Sequence, residues 1–145
     1  MAKVFEDYFS ELQADMVFTC LDYVSDRADT IYIYCSYENR CMASSFFLKI
    51  NGKLVKRHKV NDMDPSYNIT PEMQEVAICT LLEDLKEMVK VFRKFEREPP
   101  AEIKMIYDVK KKSLRTAFSY EKKLTEQQIM HEDMEDIWFD SLANQ

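Results

Sequence analysis

The chain has 145 residues, 46% of them hydrophobic and 32% charged, with one glycine, four prolines and a net charge of −6. That length suits one domain with a core of its own, and the usage excludes collagen-like, Gly-rich and disordered classes. A single glycine also excludes the phosphate loops of nucleotide enzymes, because neither GxGxxG nor GxxxxGK can be written with it.

In chain order, residues 3–24 have the spacing of an amphipathic helix. Phe5, Tyr8, Phe9, Leu12, Met16, Cys20, Leu21 and Val24 recur at steps of three and four, with acids between them. Three strands are expected next, at 30–37, 41–50 and 53–60, rich in β-branched and aromatic residues. On the second, Met42, Ser44, Phe46, Leu48 and Ile50 share a face. Asn51-Gly52 joins it to the third, because both central positions of a type I′ turn need positive φ. On the third, His58 shares the parity of Leu54 and Val60, which directs it to the covered face.

A polar loop at 61–69 leads to Thr70-Pro71, an N-cap followed by proline at the first helical position. The helix it opens carries the stripe Met73, Val76, Ala77, Leu81, Leu85, Met88, Val89, Phe92 and Phe95, and Pro99-Pro100 lies beyond its end. Residues 102–109 and 113–120 read as a second hairpin. Thr125-x-x-Gln128 has the pattern of a capping box for a last helix reaching about Leu142. The order α-βββ-α-ββ-α predicts a single α+β domain over residues 1–145: an antiparallel sheet, a three-strand meander plus a hairpin, with helices packed on it.

Chemistry is sparse. Of two histidines, His131 lies near Glu132 and Glu135 but lacks the second histidine of HExxH, so no metal is expected. No G-x-S-x-G elbow or local triad signature is present, and no catalytic residue or cofactor is assigned. The expectation is a protein that is not an enzyme. Cys20 and Cys79 fall in helical stripes, as small core residues do, and Cys35 and Cys41 lie on neighbouring strands. With no basic, apolar leader at the N-terminus and no run long enough to span a bilayer, the expected location is the cytoplasm, without a membrane partner.

Charge is unevenly spread. Residues 126–145 hold six acids and no Lys or Arg, leaving the rest of the chain neutral. Such a tail reads either as a solvated helix face or as a surface for a basic partner. Trp138 sits within it, as a core anchor or as an interface hot spot. The opposite cluster, Lys49, Lys53, Lys56, Arg57 and Lys59, contains no acid; with exposed aromatics such as Tyr32, Tyr34 and Phe47 it would suit nucleic acid.

Taken together, the chain resembles the YezG-like family of bacterial antitoxin (immunity) proteins. The resemblance rests on Phe46-Phe47-Leu48-Lys49 running through Asn51-Gly52-Lys53-Leu54-Val55, and on Thr70-x-Glu72 opening the helix of Leu81-Leu82-Glu83-Asp84-Leu85. Phe118-Ser119-Tyr120-Glu121 and Ile137-Trp138-Phe139 complete it, whereas the aromatic that the family carries after its post-helix proline is here Ala101. What the resemblance implies is a non-catalytic inhibitor that binds a cognate secreted toxin, often a nuclease. On that expectation Glu132, Asp133, Glu135, Asp136 and Asp140 stand in for phosphates, with Trp138 as the lasting anchor. The alternative is a nucleic-acid-binding module built on the 49–59 hairpin.

Overall fold

The computed structural model describes residues 3–144. Helix α1 (Phe5–Tyr23) precedes strands β1 (Thr30–Glu38), β2 (Cys41–Ile50) and β3 (Lys53–Lys56). A 3-10 turn, the four-residue helix α2 (Val60–Met63) and another 3-10 turn lead to the long helix α3 (Pro71–Lys94). Strands β4 (Glu102–Asp108) and β5 (Ser113–Ser119), then helices α4 (Lys123–Gln127) and α5 (His131–Ala143), complete the chain. The fold is α+β in the expected order, with one antiparallel sheet of order β3-β2-β1-β4-β5.

β1 is the central strand, and both its faces are covered. Ile31, Ile33 and Cys35 point to α1 and α3, joining Phe46 and Leu48 of β2 and Leu81, Leu85 and Met88 of α3 in the main core. Tyr32 and Tyr34 point the other way and join Phe47 in a smaller core beneath α5. This explains why β1 reads as an almost continuous apolar run: strict alternation belongs to sheets with one wet face.

Local signals act as their chemistry demands. Asn51 (φ 51°) and Gly52 (φ 78°) both take positive φ, and the Asp29 carboxylate accepts the Gly52 N–H at 2.7 Å. Thr70 Oγ1 accepts the Met73 N–H at 3.1 Å, capping α3 behind Pro71. α1 and α3 run antiparallel: Phe5 and Phe9 pack on Phe92, while the other end of α1 meets the start of α3.

Five expectations need correction. β3 stops at Lys56, because the chain curls into the 3-10 turn Arg57–Lys59 whose first carbonyl accepts Tyr23 OH at 2.8 Å. His58 is therefore exposed on that turn, off the covered face. The last helix is two helices, broken at Gln128 (φ 53°). Thr125 does not cap it; its hydroxyl and N–H donate to Glu38 Oε1, both at 3.0 Å, and fasten α4 to the end of β1. Among the cysteines, Cys20 is buried as expected, Cys79 is exposed, and Cys35 faces Ser44 in the β-ladder while Cys41 faces Glu38.

Candidate functional site

The acidic C-terminal segment is docked against the sheet, so its residues divide into an inner and an outer set. α5 begins at a cap of its own: the Asp133 carboxylate reaches back to accept the Met130 N–H at 2.9 Å. Glu132 and Asp133 in this first turn also suit the positive end of the helix dipole.

The inner set is His131, Met134, Glu135 and Trp138, all buried. Trp138 is 7% exposed and stands edge-on over Tyr32 (5.7 Å, 85°) and Phe47 (5.2 Å, 73°). Sequence reasoning left it either in the core or at an interface; the structure places it inside, gluing α5 to the sheet. Glu135 is also inside, 5% exposed, with Arg57 Nη1 3.7 Å away and one carboxylate oxygen lacking a hydrogen-bond partner. Burial pushes its carboxyl above the usual range, opposed by Ser45, Arg57 and Lys56.

His131 is the polar pin of this interface. Its Nδ1 is 2.6 Å from Ser36 Oγ and its Nε2 is 2.8 Å from Ser45 Oγ, on the adjacent strands β1 and β2. One serine donates to the ring and the other accepts from it. Burial pulls the imidazole down to about 4, so it is neutral at physiological pH. Both ring nitrogens are thereby committed to serine hydroxyls of the sheet. The signal in the sequence was faint: a histidine beside two serines that only strand pairing brings together.

The outer set is Glu132, Asp133, Asp136 and Asp140, all exposed. Asp136 is ion-paired with Lys56, whose ammonium also lies over the Phe139 ring at 4.4 Å. Glu132, Asp133 and Asp140 form no ion pair among the described residues. Between these acids lie two apolar side chains that sequence reasoning did not single out as surface groups: Met130, 67% exposed, and Ile137, 53% exposed. Met130, Asp133, Ile137 and Asp140 follow one another at helical steps of three and four, so they form one stripe.

The basic hairpin is arranged differently from a nucleic-acid platform. Lys56 and Arg57 are engaged by Asp136 and Glu135, and Tyr32, Tyr34 and Phe47, the proposed stacking groups, are 7%, 1% and 0% exposed beneath α5. Lys49 is partly exposed, and Lys53 and Lys59 are exposed. No group of three or more His, Cys, Asp or Glu residues suited to a metal ion exists among the described residues. No helix among them is long and apolar enough to cross a membrane.

Set against known proteins, the chain matches no protein-family model and no curated protein sequence.

Proposed function

We propose that the protein is a non-catalytic inhibitor that binds and neutralises a basic protein partner through the outer face of α5. This is the immunity role that the YezG-like resemblance implies, with the nucleic-acid-binding cleft of a toxic nuclease as the surface it occupies. One observation supports the reading above the rest: exposed Met130 and Ile137 lie among the unpaired carboxylates Glu132, Asp133 and Asp140. Apolar anchors within a charged rim are the anatomy of a protein-docking patch, and the carboxylates would steer a cationic partner onto it. The anchor role expected of Trp138 passes to Ile137 and Met130, because Trp138 holds the helix in place.

The nucleic-acid alternative draws less support, since its central cations are paired and its aromatics buried. The test is affinity capture of the tagged protein from its native cells, with nuclease treatment before elution and mass spectrometry of what remains. Stoichiometric recovery of one basic polypeptide, inhibited by the purified protein in an activity assay, is the expected result. Retention that depends on nucleic acid would favour the hairpin and overturn the proposal.

A further inference from the structure

On the side of the sheet opposite α5, a groove of about 420 Å³ follows the seam where the end of α1 meets the first turns of α3. It bottoms on buried Tyr23 and Ala77, and its walls carry Phe18 and Val76, 65% and 64% exposed. The core stripe accounts for neither. Phe18 stands off the buried line of Phe9, Met16 and Cys20, and Val76 stays exposed although Ala77, next to it, is buried. A second hollow of about 370 Å³, reaching Leu21 and Leu114, lies on the far flank of Phe18. The phenyl ring is thus a ridge between two apolar depressions.

The charged side chains that line this groove are both acidic, and the nearest cation, Arg57, lies beyond Tyr23 at its floor. Asp22 and Glu72 line it. One turn along the seam, Asp15, whose carbonyl accepts Thr19 Oγ1 at 3.0 Å, faces Asp84. None of these four carboxylates has an ion-pair partner among the described residues. Asp84 Oδ2 is buried without a hydrogen-bond partner, and burial beside Asp15 pushes its carboxyl up to about 7.

We propose that the groove between α1 and α3 is a docking site for a basic amphipathic helix of a partner protein. A third helix laid along the seam would place apolar side chains at i, i+3 and i+4 on either side of Phe18. Its lysines or arginines would meet Asp22 and Glu72 and give the Asp15–Asp84 pair the cation it lacks. A second copy of the chain fits poorly, because an isologous contact through this groove would set the same carboxylates against themselves. The site is separate from the outer face of α5 and stands whether or not that face binds a toxin.

The test is a titration of the isotope-labelled full chain with a synthetic Leu/Lys amphipathic helical peptide, followed by amide chemical shifts, with a Leu/Glu peptide as control. Expected are shifts concentrated at Phe18, Asp22 and Val76, no binding of the acidic peptide, and affinity reduced about tenfold or more by Phe18→Ser or Val76→Lys. Both side chains are exposed, so both variants should melt at the wild-type temperature. Asp15→Asn with Asp84→Asn should weaken binding and flatten its salt dependence. Shifts confined to Asp133 and Ile137, or unchanged affinity in both apolar variants, would overturn the proposal. So would concentration-dependent self-association abolished by Phe18→Ser, which would give the groove to a second copy.

Discussion

The ammonium of Lys56, at the end of β3, is ion-paired with the carboxylate of Asp136 on α5. Beside it Arg57 lies 3.7 Å from the buried Glu135. The two opposite charge clusters of the sequence are therefore partly each other's partners, and what α5 offers a ligand is only the remainder, Glu132, Asp133 and Asp140. An exposed pair such as Lys56–Asp136 contributes little alone, within about 1 kcal/mol. The helix is held chiefly by the aromatic packing of Trp138.

Replacing Trp138 with alanine should therefore release α5. The expected cost is about 3–5 kcal/mol, the range for deleting a buried large aromatic. Urea unfolding followed by far-UV circular dichroism measures it. A loss within about 0.5 kcal/mol would mean that the ring does not carry the helix.

His131 should make stability fall in acid. Its folded value, about 4, lies below the ordinary 6.5, so the unfolded chain takes up the proton first. The contribution is complete above pH 6.5 and is lost as pH falls towards 4, at most on the order of 3 kcal/mol. His131→Asn should be less stable than wild type at pH 7, with a difference that narrows through this window. Parallel unfolding profiles for the two proteins would contradict the buried, neutral imidazole.

Asp84 works in the opposite direction. Its folded value, about 7, is raised above the ordinary 3.8, so the protonated form is favoured in the native state. Stability from this site is present at low pH and declines as pH rises through 7. Asp84→Asn should thus melt higher than wild type at pH 8, and the advantage should vanish near pH 4. Asp84 as a whole is only partly buried, so the gain should stay below about 1 kcal/mol. A variant that melts lower at pH 8 would contradict the like-charge contact with Asp15.

The readable parts of the fold were those fixed by local chemistry. Asn51-Gly52 needs positive φ, and Thr70-Pro71 combines a side-chain cap with a preset φ; neither depends on distant contacts. Tertiary contacts decided the rest. Tyr23 ends β3 by binding the Arg57 carbonyl, and Glu38 captures the start of α4, so the chain must turn at Gln128 before His131 can enter between Ser36 and Ser45. The direction of Trp138 has a legible sign in the sequence: Tyr32, Tyr34 and Phe47 need a cover of their own. Phe18 and Val76 show the converse, since helical spacing places Val76 on the core stripe although the helix pair leaves it in the open.

Thr70→Ala tests one of those local devices. Loss of the Thr70 Oγ1 bond to the Met73 N–H should cost about 1 kcal/mol, with Thr70→Ser close to wild type. Denaturant midpoints of the three proteins, compared at one pH, give the result. Equal midpoints for alanine and wild type would mean that Pro71 alone sets the start of α3.

The outer face of α5 is tested most directly by affinity capture of wild type beside a triple variant, Glu132→Lys, Ile137→Ser and Asp140→Lys, from the same cells. Asp133 is left in place because it caps the helix. The three altered side chains are exposed, so the variant should keep its circular dichroism spectrum, with only a small drop in melting temperature from the lysine placed in the first turn of α5. If the outer face of α5 is the inhibitory surface, wild type retains a basic polypeptide after nuclease treatment and the variant does not. Equal recovery by both proteins would contradict it.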